Sequence, residues 1–82
     1  MLDDVRRDSR GPVQLQGKII VQSNMPEILC TVIDLSQAGA GLWLGTTFGI
    51  PDTFRLLISD EQAPRVCKVA WKKDHRLGIS FV

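Results

Sequence analysis

Two short clusters hold the residues best equipped for chemistry. Arg6-Arg7-Asp8-Ser9-Arg10 spaces Arg6 and Arg10 as R-x-x-x-R and sets Arg7 between them. A guanidinium is planar and carries five donors, so it can clamp a phosphate, grip the O6/N7 edge of guanine or stack on a flat base. The second cluster, Asp34-Leu35-Ser36-Gln37-Ala38-Gly39, is a D-x-S-x-x-G. A carboxylate at Asp34 suits the N1–H and N2–H₂ edge of guanine, and the Ser36 hydroxyl both donates and accepts. Gly39 permits positive φ or a close backbone approach. Each cluster alone has a plain structural reading, the first as a solvated tail and the second as an Asx or Ser turn between strands.

The elements that must carry these clusters are short. The chain has 82 residues, 44% hydrophobic and 23% charged, an ordinary balance for one small globular domain. Apolar runs broken by turn residues read as six strands: Val13–Val21, Ile28–Ile33, Ala40–Leu44, Thr53–Ile58, Arg65–Trp71 and Leu77–Phe81. Alternation puts Phe54, Leu56 and Ile58 on one face. It puts Cys67, Val69 and Trp71 inward with Lys68 and Lys72 opposite, and Leu77, Ile79 and Phe81 inward with Gly78 and Ser80 opposite. Trp43 faces away from Leu42 and Leu44, either as packing under the N-terminal segment or as a binding surface. Residues 47–52 allow one short helical turn at most. Six short strands predict a small antiparallel β-barrel, since closure removes exposed edges. The expected division is an arginine-bearing arm over residues 1–11, flexible because it buries little, and a single barrel domain over residues 12–82.

Composition excludes several classes. One histidine and no tyrosine leave few groups titrating near neutrality, so no catalytic residue is expected. His75 has no second histidine or nearby cysteine to complete a metal set, and no metal or cofactor is expected. Cys30 and Cys67 lack zinc-ligand spacing and read as small buried apolar residues. A formal net charge of +1 argues against a strongly basic binder of nucleic-acid polymers. A single-strand-binding barrel needs aromatic platforms, and of five Phe and Trp residues Phe54, Trp71 and Phe81 are assigned inward. The absence of a 20-residue apolar run or a leader pattern, with free thiols, predicts a cytoplasmic chain without membrane insertion.

Together the R-x-x-x-R before the first strand and the D-x-S-x-x-G after the second resemble the PilZ domain family. Asp34 to Leu42 is similar to the family's strand–turn–strand. Val66 to Trp71 followed by Leu77-Gly78-Ile79-Ser80-Phe81 is similar to its final hairpin with the G-x-x-F close. The resemblance runs from Arg6 to Phe81. It implies a small split barrel that binds the bacterial second messenger cyclic di-GMP, with Arg6, Arg7 and Arg10 wrapping the ligand, Asp34 and Ser36 bonding a guanine edge, and Gly39 letting the backbone come close. It implies a receptor that changes its surface for a downstream protein partner. Many members carry a helix after the last strand; none is expected here. The alternative function is a protein–protein adaptor that keeps the fold without the ligand.

Overall fold

The computed structural model describes residues 11–22 and 24–82. Six strands follow one another: β1 (Gly11–Ile20), β2 (Ile28–Leu35), β3 (Gly39–Trp43), β4 (Thr53–Ile58), β5 (Arg65–Lys73) and β6 (Arg76–Phe81). They pair antiparallel in the order β1-β2-β3-β6-β5-β4, and β4 returns to β1 to close the barrel. The expected six-stranded barrel is therefore present, and the described residues contain no helix.

Alternation of apolar and polar residues drives this closure. Ile19, Val32, Leu42, Leu56, Ile58 and Leu77 are completely buried, each from a position whose neighbours along the strand point the other way. Burying a side chain of this size contributes about 1.5–3 kcal/mol. Phe54, Cys67 and Ile79 join them, and Phe81 packs half-buried against the same core. Residues 47–50 form a β-turn rather than a helical turn. The Ile50 amide donates to the Thr47 carbonyl at 3.3 Å, and Gly49 takes φ +83°, a conformation that suits glycine. Thr47 ties this loop to the β5–β6 hairpin through its hydroxyl, which lies 3.2 Å from the Lys73 carbonyl oxygen.

Three irregularities interrupt the alternation among the described residues, the first in β1, where Pro12 lies opposite Asp34 but Leu15 opposite Val32. Between β2 and β3, Val32 lies opposite Leu42 but Asp34 lies opposite Gly41, so Ile33 is an extra residue. Between β5 and β6, Val69 lies opposite Ile79 but Trp71 lies opposite Gly78, so Ala70 is extra. A β-bulge reverses the side-chain phase beyond it. This corrects the inward assignment of Trp71, which is 46% exposed on the outer wall. It also corrects Lys72, which shares Leu77's register and donates from Nζ to the Ile50 carbonyl at 2.7 Å.

The two thiols are free and buried. Burial, and secondarily Cys67, pushes Cys30 up from 9.0 to about 12. Burial pushes Cys67 up to about 11 against the opposing pull of Arg65 and a Leu56 backbone hydrogen bond. Because the unfolded chain releases these protons first, stability is full below about pH 9 and falls as pH rises through the folded values. Denaturant titrations near pH 7 and near pH 10 check this. The Cys30→Ala, Cys67→Ala double variant is expected to lose less stability between the two than the wild type; equal losses would contradict it.

Candidate functional site

The D-x-S-x-x-G cluster forms the tip of the β2–β3 hairpin. The Ser36 amide donates to the Gly39 carbonyl at 2.9 Å. The Ser36 hydroxyl donates to that same oxygen and accepts from the Gly39 amide, both at 3.3 Å. Ser36 therefore spends its hydroxyl on closing its own turn, and one lone pair is left for another donor. The turn is also fastened to β6, where the Phe81 amide donates to the Ala38 carbonyl at 2.8 Å.

Gly39 is needed for close approach and not for positive φ. Its conformation is not left-handed. A Cβ at this position would come within 2.1 Å of the Ile79 carbonyl oxygen. The close approach is thus to the barrel's own β6, at a fully buried position.

Asp34 is half-buried and turned outward by the bulge at Ile33. Its carboxylate lies above Gly41, where an added Cβ would meet Oδ2 at 2.8 Å. Gly41 pairs with Gly78, and Gly78 pairs with Trp71. The indole of Trp71 covers Gly78, its Nε1 lying 2.2 Å from where a Cβ would stand. Since directly opposed residues in antiparallel strands share a face, Asp34, Gly41, Gly78 and Trp71 make one outer row across four strands. The carboxylate lies over Gly41 and the indole over Gly78, so these two side chains occupy the space that the glycines leave.

A shallow cleft of about 120 Å³ joins this row to the turn, lined by Ala38, Gly39, Ala70, Trp71, Gly78, Ile79 and Ser80. The arrangement can do two things chemically. The carboxylate can accept from a paired N–H edge, and the indole can stack or donate. Trp71 is the member of this outer row that the sequence reading placed in the core. The signal available was Gly78, a glycine opposite an aromatic residue across the final hairpin.

On the far side of the turn, Leu35, Ser36, Gln37 and Arg65 border a wider cleft of about 360 Å³. Arg65 is held there by Glu61, which receives bonds from both Nε and Nη2, and its guanidinium lies 4.4 Å from the centre of the Phe81 ring.

Of the residues singled out in the sequence, Asp34, Ser36 and Gly39 are brought together on one hairpin. Arg6, Arg7 and Arg10, with the expected mobility of the arm, lie outside the described residues. The first described residue, Gly11, pairs with Leu35, and Pro12 pairs with Asp34. The chain that follows the arginine cluster therefore enters the barrel beside the D-x-S-x-x-G turn. Among the described residues no group of three or more His, Cys, Asp and Glu side chains is placed to hold a metal ion. His75 instead stacks on Trp43 and bonds from Nδ1 to the Gly45 carbonyl oxygen at 2.9 Å. No helix among the described residues is long and apolar enough to cross a membrane.

The family model described as PilZ domain matches residues 4–82, nearly the whole chain. No curated protein matches it.

The two glycines make different demands. Gly39→Ala drives a methyl into backbone and is expected to destabilise the fold by about 1–3 kcal/mol. Gly78→Ala meets a side chain that can swing away, so its main effect is expected on the emission of Trp71, with a smaller loss of stability. Chemical denaturation read by circular dichroism and by tryptophan fluorescence checks both. A Gly39→Ala protein as stable as the wild type would contradict the close approach to Ile79.

Proposed function

The chain belongs to the PilZ domain family, and from that membership and the outer row of the barrel we propose that it is a receptor for cyclic di-GMP. PilZ domains are in general binding domains for this messenger. The observation that carries the reading is the row of Asp34, Gly41, Gly78 and Trp71. A guanine presents its N1–H and N2–H₂ edge to the Asp34 carboxylate and stacks on the exposed face of the Trp71 indole. An adenine lacks that pair of donors, so the carboxylate also supplies the preference between purines.

The arginine cluster completes the site in this reading. Gly11 opposite Leu35 sets the point at which residues 1–10 join the barrel, next to the turn. Arg6 and Arg10 grip guanine edges and phosphates, and Arg7 adds a phosphate contact or a stack. The charge balance fits this division. Residues 11–64 carry two basic and five acidic side chains, while residues 1–10 carry three arginines and three aspartates. In this reading the anion is met by that local group of guanidiniums, while the chain's other basic residues concentrate in residues 65–82, five against one acidic. Ser36 contributes by holding the turn that positions Asp34 and by its remaining lone pair. Gly39 contributes by letting that turn lie against β6.

The signal passed on is a change of surface. Closing the arm over a bound dinucleotide alters the face beside the β2–β3 hairpin, and a protein partner that prefers the closed face is recruited by differential binding. The receptor needs no chemical step, and no catalytic residue is assigned.

Calorimetric titration with cyclic di-GMP tests the reading. Saturable binding is expected, weakened strongly by Arg10→Ala and little by Lys18→Ala, although each removes one positive charge. Asp34→Ala is expected to narrow the preference for cyclic di-GMP over the adenine analogue. Trp71→Ala is expected to weaken binding by about fivefold or more, the worth of one lost base stack. Absence of heat and of any thermal shift at high ligand concentration would instead support a ligand-independent adaptor. Equal losses for Arg10→Ala and Lys18→Ala would reduce the arginine arm to diffuse electrostatics.

A further inference from the structure

The end of the barrel away from the D-x-S-x-x-G turn carries aromatic side chains and cations that the receptor reading leaves unused. β3 runs from Gly39 in that turn to Trp43 at the far end, about 13 Å along the strand. The 45–50 loop follows, and it lies against the turn of the β5–β6 hairpin. The Thr47 hydroxyl is 3.2 Å from the Lys73 carbonyl oxygen and 3.3 Å from that of Asp74. The Leu44 amide donates to the His75 carbonyl at 2.8 Å. Loop and hairpin turn therefore hold each other in place. Phe48 stands at the corner of the 47–50 β-turn and is 90% exposed. Trp43 is 47% exposed and is steadied by the stacked His75, itself fixed by the Gly45 carbonyl oxygen.

Two properties of the loop say what it can touch. No Asp, Glu, Lys, Arg or His stands between Asp34 and Asp52. Its polar groups are also bonded within the protein. The Phe48 amide donates to the Thr46 hydroxyl at 3.1 Å, the Ile50 amide donates to the Thr47 carbonyl, and the Thr47 hydroxyl is spent on the hairpin. The tip can thus leave water without desolvating a charge or stranding these groups. The buried Leu44 and Ile50 anchor its two sides, so Phe48 is presented on a fixed support. The hairpin beside it is basic. Lys72, Lys73 and Arg76 stand against Asp74, all exposed. Lys73 and Arg76 form no ion pair among the described residues. Arg76 pairs directly with Trp43 across β3 and β6, and Lys73 with Arg76 across β5 and β6. An acidic protein would satisfy the cations. A tip with no charge and with its hydrogen bonds already made suits an occupant that offers none, and acyl chains under anionic headgroups are that occupant.

We propose that the 45–50 loop, with Trp43, Lys73 and Arg76 beside it, is a docking surface for an anionic lipid bilayer. Phe48 enters the boundary between headgroups and acyl chains, the Trp43 indole lies at headgroup level, and Lys73 and Arg76 meet lipid phosphates. The contact rests on the bilayer surface and spans nothing. It leaves the D-x-S-x-x-G turn, at the other end of β3, facing water. The inference stands apart from the receptor reading and does not depend on it.

The test sediments the full chain, without any cyclic dinucleotide, with vesicles of phosphatidylcholine alone and with vesicles of phosphatidylcholine and phosphatidylglycerol in equal parts. Binding is expected to the anionic vesicles and is expected to fall as salt rises. Phe48→Ser, at an exposed position that spares the fold, is expected to weaken it by about tenfold or more. The Lys73→Ala, Arg76→Ala double variant is expected to weaken it by about tenfold or more as well. Circular dichroism verifies the fold of each variant. In a Trp71→Phe background Trp43 is the remaining tryptophan, and its emission is expected to shift to the blue with the anionic vesicles. No sedimentation with anionic vesicles would overturn the proposal, whether or not the chain binds cyclic di-GMP. Sedimentation that Phe48→Ser leaves unchanged, with unshifted Trp43 emission, would overturn it too, since only diffuse attraction between opposite charges would remain.

Discussion

A closed barrel of short strands forces each side chain to point either into the core or out to solvent, and one inserted residue reverses that choice for everything beyond it. Two of the three register shifts among the described residues set the outer row. Ile33 in β2 and Ala70 in β5 are extra residues, and the strands between them, β3 and β6, contribute Gly41 and Gly78 at the same height. The bulges turn Asp34 and Trp71 outward, and the glycines leave the room that this carboxylate and this indole fill. Had either bulge been absent, strict alternation would have carried one of these groups to the other face. The outer row is thus a property of register, made by backbone irregularities that cost a little pairing.

The hairpin tip depends on the same economy. Ser36 and Gly39 close the turn on themselves, and Gly39 lets the turn rest against the Ile79 carbonyl at a distance no other residue could accept. The motif is therefore partly structural. Asp34 is the member with a carboxylate on the outer row, while Ser36 and Gly39 fix where that carboxylate stands. The loop at 45–50 plays a similar part at the other end of β3, where Thr47 and His75 tie it to the β5–β6 hairpin and so steady Trp43.

Much of this was legible in the sequence, and what was not has an identifiable cause. Strand count and pairing class followed from apolar runs and turn residues, and β4 was delimited to the residue because Phe54, Leu56 and Ile58 alternate without interruption. Trp71 and Lys72 were misplaced because period-two reasoning cannot see an inserted residue. Ala70, small and exposed, gives no warning of its bulge. Asp34, Ser36 and Gly39 could be named from their spacing, yet spacing does not reveal that the Ser36 hydroxyl is used within the turn or that Gly39 answers to β6. The positive φ that glycine permits occurs at Gly49, where a β-turn replaces the short helical turn allowed by the sequence. Trp43 could be placed outward by alternation, but its support by His75 depends on a contact between β3 and a distant hairpin.

The central claim is that the outer row from Asp34 to Trp71 receives a guanine. Intermolecular nuclear Overhauser effects between cyclic di-GMP and isotope-labelled protein test it most directly. The account predicts contacts from a guanine H8 or ribose proton to the Trp71 ring. Contacts confined to the β1–β4 side of the barrel, around Lys18 and Leu57, with none to Trp71, would contradict it.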